Sequence, residues 1–567
     1  MTNFLRSVAA LCILSGFLLA APPPTIAQPS APELILYNGK IFTSNVDHPY
    51  VQALAIRGDR ILATGDSAKM VALRGPGTRT IDLGGRTAIP GINDAHVHLD
   101  IESANEVKLP IDSENRTGEN PTLEQVVTAI TASIKKADPK SLLTATVGPA
   151  IYFDPRMTRS ALDTVAPNNP VMLTTLTGHA AFLNSAALRL FGIREDQPDP
   201  MGGRYERGPD GKLDGVVREY ALFDLERQIA DGTSDTEALQ QLRAQLDQAA
   251  KFGITTIQDM SNGMPPARAV ALLEKLPPTT RVRVMRMPGT TVTGRDVKEG
   301  RPAPRPDSPW IKVSGTKWML DGTPLEGTFE SREERAADLS PGRSGKSMEA
   351  IFADFGLLFP EPELTAMLHE TQHDNDPLLL HVSGYVSASA MLKALQSNGG
   401  SDVWSTRRVR FEHGDGLYPE FVPTLKALGI IVVQNPTHLA VAQMIPGLTL
   451  QSAQPLRSLL DAGIPVALGS DGPMNPYLNI MLASIDPDRP KEAMTREQAV
   501  IAYTLTSAYA EFREKDKGTL EPNKLADLAV LSQDIFSVPP PDLQKTTSVL
   551  TIVGGKVVYD SKVLSPQ

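Results

Sequence analysis

Thr87-Ala-Ile-Pro-Gly-Ile-Asn-Asp-Ala-His-Val-His-Leu99 is the stretch that decides the fold. An apolar strand runs into a polar loop and ends on His96 and His98. Side chains alternate across a strand, so residues two apart point the same way. Both imidazoles can therefore reach one point at the strand's C-terminal end. Neutral imidazole is a good ligand there for zinc and similar divalent ions. Alone, His-x-His is a weak motif, and its weight depends on the rest of the chain.

Elsewhere the chain repeats the arrangement. His381 follows Pro377-Leu-Leu-Leu380, and His413 ends Arg408-Val-Arg-Phe-Glu-His413. His438 closes Ile430-Ile-Val-Val-Gln-Asn-Pro-Thr-His438, and His179 follows Val171-Met-Leu-Thr-Thr-Leu-Thr-Gly178. His369 and His373 differ: their spacing within 363–373 is helical and reads as a surface helix. His48, beside Pro49, reads as a turn. One strand-end histidine is ordinarily a structural hydrogen-bonding residue. A set of them on successive strands is harder to explain that way.

Short apolar strands alternate with helical stretches through the centre of the chain, the pattern of a parallel α/β fold. Candidate strands lie at 87–96, 254–260, 281–287, 311–320, 378–383, 408–413, 430–436 and 465–471. This is the complement a (β/α)8 TIM-like barrel needs, and such barrels place their chemistry at the C-terminal strand ends. Val171–Thr177 would overfill the barrel. Residues from about 100 to about 250 are therefore expected to form an insertion after the first strand, with helical runs at 122–136 and 235–252. At both chain ends the pattern becomes alternating, with turn dipeptides at Asn38-Gly39, Gly58-Asp59 and Gly554-Gly555. These segments predict a small β-sandwich built from both ends. The expected organisation is a leader at 1–27, an N-terminal sandwich segment at 28–86, the barrel at 87–510 and a C-terminal sandwich segment at 511–567.

Composition narrows the function classes. The 567 residues are too many for one simple core. A net charge of −10, with no basic patch, argues against a nucleic-acid partner. Arg6, the apolar run Ser7–Ala20 and the small residues after it read as a secretory leader, short for a membrane span, with an uncleaved anchor as the alternative. Export to the periplasm or medium, without stable membrane insertion after cleavage, is the expectation. The chain's single cysteine, Cys12, lies in that leader. A metal site in the mature protein must then use nitrogen and oxygen donors.

Two further residues complete such a site. Ile464-Pro-Val-Ala-Leu-Gly-Ser-Asp471 puts a carboxylate at the end of the eighth strand, where it can bind metal and also act as a general base. Lys317 sits among apolar neighbours in Ile311-Lys-Val-Ser-Gly-Thr-Lys-Trp-Met-Leu-Asp321, where an ammonium is costly to bury. It reads either as an ion-pair partner of a carboxylate such as Asp321 or as a lysine carboxylated by CO2, which would bridge two metals.

With these residues in place, the chain resembles the amidohydrolase superfamily, in particular amidohydrolase family 3. The resemblance rests on Pro90-Gly-Ile-Asn-Asp-Ala-His-Val-His98, Thr177-Gly-His-Ala-Ala-Phe-Leu-Asn-Ser-Ala-Ala-Leu188, Pro198-Asp-Pro-Met-Gly-Gly203, Lys317 with Asp321-Gly322, Arg410-Phe-Glu-His413 and Gly469-Ser-Asp471. It implies one or two zinc-type ions at the barrel mouth. His96 and His98 would bind the first and His381 and His413 the second. Lys317 would bridge them as a carbamate, and Asp471 would bind the first metal and shuttle the proton. Two segments depart from the family pattern: Tyr385 follows Gly384, and Thr323-Pro-Leu-Glu-Gly-Thr328 follows Asp321-Gly322. Both bear on substrate choice.

The function expected is metal-dependent hydrolysis of a carbon–nitrogen bond other than a peptide bond, in a small-molecule substrate. His179 and His438 are candidates for substrate contact or oxyanion stabilisation, with structural hydrogen bonding as the alternative. The same site acting on an ester, lactone or phosphoester is a second reading. A catalytically silent binding protein on the same fold is a third. Homo-oligomerisation is left open.

Overall fold

The computed structural model describes residues 31–103, 105–111, 120–299, 308–328, 332, 334, 356–443, 454–487 and 489–564. The expected leader and Cys12 lie outside these residues. An eight-stranded parallel sheet forms the centre. Its strands are β1 (Ile92–Val97), β2 (Ile254–Ser261), β3 (Arg281–Arg286), β4 (Ile311–Met319), β5 (Leu378–Val382), β6 (Arg410–His413), β7 (Ile431–Gln434) and β8 (Val466–Leu468). Each pairs with the next in chain order. The ring closes between β8 and β1 through Asp471 N–H to His96 O at 3.0 Å and Ser470 N–H to Asp94 Oδ1 at 2.8 Å. The expected TIM-like barrel is present. Both faces of the strands are covered, so apolar residues such as Ile257, Val284, Leu380 and Val432 are buried, and the polar side chains that alternate with them inside the barrel are paired with one another.

The first expected strand, 87–96, is two strands. Thr87–Pro90 pairs antiparallel with Leu528–Leu531 in a sheet outside the barrel, and β1 starts only at Ile92. Gly91 makes the join. A methyl group there would lie 2.2 Å from Thr255 Cγ2, so only glycine allows the crossing. The Asn38-Gly39 hairpin does not form either. Leu34–Tyr37 pairs with Ala53–Arg57, whereas Lys40–Phe42 pairs with Tyr50–Val51 in another sheet. Leu83 Cδ1 would lie 2.5 Å from a Cβ at Gly39. The chain therefore steps between sheets there instead of turning back. Gly58 and Gly554-Gly555 do turn hairpins, all with positive φ. The two end sheets, of four and six strands, share a core that includes Leu36, Ile56, Leu528 and Ile552.

Between β1 and β2 the chain builds a separate six-stranded sheet from strands within Glu106–Glu219. This sheet has its own core, with Val126 and Ile130 of a helix against Leu143 and Leu173. The expected helix at 235–252 is α1 (Asp235–Lys251), and it does not belong to that core. Its Leu242, Leu246 and Ala249 pack in the main core with Ile254 and Ile257 of β2. Among the described residues, no helix is long and apolar enough to cross a membrane.

Candidate metal centre

The strand ends bring the histidines together. His96 and His98 lie with ring centroids 5.5 Å apart, and His413 lies 4.8 Å from His96. His381 is 4.4 Å from His413, His179 is 4.9 Å from His381, and His438 is 5.1 Å from His413. His369 and His373 lie away on the exposed side of a helix spanning Glu361–Asp374. Among the described residues, one donor atom each from His96, His413 and Asp471 falls within 4.8 Å of the others. His413 thus stands between the two expected groups, against His381 as well as against His96. His98 Nε2 is 3.4 Å from Asp471 Oδ1.

His413 and Asp471 reach the site by unusual backbone. Their φ angles are 71° and 40°, in the left-handed region that ordinary residues avoid. Strand alternation puts Arg410 and Glu412 on one side of β6 and Phe411 on the other. The left-handed turn at His413 re-aims the next imidazole inward. Such strain concentrates where geometry matters to function.

Every imidazole of the cluster has its Nδ1 engaged. His96 Nδ1 lies 2.7 Å from Glu412 Oε2, His98 Nδ1 2.7 Å from Asn262 Oδ1 and His381 Nδ1 2.8 Å from Asp321 Oδ1. His413 Nδ1 is 2.9 Å from Asn435 Oδ1, His179 Nδ1 2.9 Å from Glu219 Oε2, and His438 Nδ1 3.1 Å from Asp415 Oδ2. Where the ring is neutral and Nδ1–H is donated, as at His96, His381 and His413, Nε2 keeps its lone pair for the site. Metal-binding histidines are usually held in this way. The sequence does not reveal these pairings: Asp321 and Glu412 lie in the Asp321-Gly322 and Arg410-Phe-Glu-His413 motifs, but the imidazole each one meets is set only by folding.

Electrostatics match. Burial, with Lys317 nearby, lowers the His96 pKa to about 4, so its ring is neutral at pH 7. Burial likewise holds His413 and His381 well below the ordinary imidazole value. For Asp471 burial acts upward, but His96, His438 and His98 outweigh it and hold the carboxyl well below its usual range. The same carboxylate keeps His98 protonated up to about 9, against the effect of burial. Burial brings Lys317 down to about 8. Its Nζ lies 3.0 Å from His96 Nε2, and Asp321 is instead bonded by His381, Ser387 and the Ser383 and Gly384 amides. A Lys317–Asp321 pair is thus not formed. The neutral imidazoles of His96, His381 and His413 beside an ionised carboxylate, with no thiolate, fit a divalent ion of the zinc type, which would displace the proton that Asp471 otherwise keeps on His98.

A cavity of about 730 Å³ opens over this cluster, a size suited to a small-molecule site. Its wall runs from His98, Lys317, His413 and Asp471 to His179 and Leu176 of the inserted unit, then to Phe223 and Met287. The segment after Asp321, which departs from the family pattern, folds back through a Thr323–Gly327 bridge. Its buried Glu326 bonds Thr177, two residues before His179.

The amidohydrolase family profile matches residues 79–559. The chain belongs to the amidohydrolase family. As a member it is a metal-dependent hydrolase of carbon–nitrogen bonds. It is 26% identical to Protein LONG AFTER FAR-RED 3 of Arabidopsis thaliana, over 93% of this chain and 91% of that protein. It is also 26% identical to N-substituted formamide deformylase of Arthrobacter pascens, over 93% of this chain and 98% of the relative. Among solved structures, an uncharacterized metal-dependent hydrolase from Pyrococcus horikoshii OT3 shares the fold. Its TM-score is 0.61 at 17% identity, covering 90% of this chain and 99% of that one.

Proposed function

We propose that this amidohydrolase cleaves the carbon–nitrogen bond of a small amide-type substrate, with Asp471 moving the proton. The observation that carries the reading is the meeting of buried His96 with His413 and ionised Asp471, the latter two lining the cavity. His96, His98, His381, His413 and Asp471 would hold one or two divalent ions, with zinc fitting the donor set best. Bound there, such an ion supplies Lewis acidity and makes a nearby water easier to deprotonate.

The chain's own groups do the rest. Asp471 takes a proton from the attacking water and returns it to the leaving nitrogen. His438 Nε2, 3.3 Å from Asp471 Oδ2, holds that carboxylate in position while Asp415 anchors its other nitrogen. His179 lines the cavity from the inserted unit, which supports a contact with the substrate carbonyl. Burial, which brings Lys317 down to about 8, favours the neutral amine that would add CO2 and release a proton to give a carbamate. As a carbamate it would offer two oxygens between the ions. A cationic Lys317 beside bound divalent ions would instead be strongly repelled.

The name of the Arthrobacter relative supports N-substituted formamides as the first substrates to try. The test is hydrolysis of matched formamide, amide and ester panels by zinc-loaded protein. Faster turnover of the carbon–nitrogen members supports the reading, and turnover of esters alone overturns it. Export through the leader at 1–27 and the sandwich arrangement of the end sheets belong to the same proposal. N-terminal sequencing of periplasmic protein tests the first.

A further inference from the structure

A line of buried polar groups crosses the barrel interior beneath the metal centre. At its lower end Lys517 Nζ donates to Glu511 Oε1 at 2.7 Å, and Asn93 Nδ2 donates to the same oxygen at 2.7 Å. Gln258 Nε2 reaches Asn93 Oδ1 at 3.1 Å, and Arg410 Nη1 donates to Gln258 Oε1 at 2.6 Å. Arg410 then grips Glu412 with Nε to Oε1 at 2.7 Å and Nη2 to Oε2 at 3.0 Å. A further bond, from Arg410 Nη2 to Ala95 O at 2.7 Å, ties the guanidinium to β1. At the upper end, Glu412 Oε2 lies 2.7 Å from His96 Nδ1. Arg410, Glu412 and His96 are all fully buried.

The geometry dictates the state of His96. A carboxylate held by two guanidinium donors is an acceptor only. His96 must therefore carry its proton on Nδ1, and Nε2 presents a lone pair toward Lys317 Nζ and Asp471. Negative charge behind the ring also makes that lone pair a stronger donor. Glu412 does not line the cavity. We infer that Glu412 is a positioning residue that, clamped by Arg410 and acting through His96, sets the affinity of the centre for its divalent ion. This rests on the metal-site reading above.

Zinc affinity, measured by competition with a chromogenic chelator, tests it, alongside the visible spectrum of the cobalt-loaded protein. Glu412→Gln is expected to weaken zinc binding by roughly 10–100-fold and to shift the cobalt bands. Glu511→Gln breaks another buried ion pair, with Lys517, at the far end of the line. It should lower the unfolding midpoint yet keep wild-type zinc affinity and cobalt bands. Wild-type zinc affinity in Glu412→Gln, or equal losses in both variants, would overturn the inference. If Glu412→Gln does not accumulate, Glu412→Asp keeps the charge opposite Arg410 but falls short of His96. Its affinity should drop several-fold, and an unchanged value overturns the inference equally. A wild-type protein that binds no zinc would instead defeat the metal-site reading itself.

Discussion

Asp471 is held where a base must be. Its left-handed backbone turns the carboxylate toward His98 and His438, and the surrounding imidazoles keep it ionised. Asp471→Asn is nearly isosteric and should fold. Turnover should nevertheless fall by about 10²–10⁴-fold with the loss of the base. Steady-state kinetics on metal-replete protein checks this, and a mild reduction would refute the proton role. Lys317 separates two chemistries. Lys317→Ala should lose metal and activity, with partial recovery in bicarbonate or short carboxylates, whereas Lys317→Arg should recover neither, since a guanidinium cannot become a bridging anion. Two metals and intact hydrolysis in Lys317→Arg would end the carbamate assignment. At this scale the sequence is informative about residues with rare chemistry. His96, His98 and Asp471 stand out because histidines and an acid fall at apolar strand ends. Glu412, Asn262 and Asn435 do not stand out, because their importance comes only from the imidazole each one meets after folding.

Among the elements, β1 and β8 define the site by closing the ring. The closure depends on Gly469. A methyl group there would lie 2.4 Å from His96 Cβ and 2.6 Å from its backbone nitrogen. Gly469→Ala should force the strands apart, costing about 1–3 kcal/mol by overpacking. Because the displaced neighbour is a metal ligand, zinc content should fall along with the urea midpoint. A normal midpoint and full zinc would show that β8 has room to move. The barrel strands are legible as short runs of apolar residues, some alternating with polar ones as in Arg281–Arg286, with helical stretches between them. Boundaries are less so. Thr87–Pro90 and Ile92–Val97 read as one run because both are buried strands, and nothing in the pattern says that Gly91 hands the chain from one sheet to another.

For the whole molecule, the inserted unit roofs the cavity and the chain ends brace the barrel base. The brace has a buried clamp: Arg281 of β3 binds Asp527 with Nε at 2.8 Å and Nη2 at 3.1 Å, and Asp527 also accepts from the Gly554 amide. Removing one partner strands the other charge, so Asp527→Ala should cost about 3–5 kcal/mol. The unfolding midpoint should drop, while zinc affinity of the folded protein stays near wild type. Loss of zinc affinity without loss of stability would contradict the separation of brace and site. The insertion's existence could be read from a surplus strand, but its sheet could not. Strands as distant as Glu106–Lys108 and Leu142–Val147 pair in parallel, which no local pattern reveals.

The central claim is that the imidazoles and Asp471 form a metal-dependent hydrolytic centre. Its most direct test is one titration: strip the protein with a chelator, add zinc back in steps, and follow bound metal and formamide or amide hydrolysis together. The stripped protein is expected to show no turnover, and activity to rise in proportion to one or two zinc ions bound per chain, with neither seen in His96→Ala. Full hydrolysis by metal-free protein, or zinc bound equally well by His96→Ala, would contradict it.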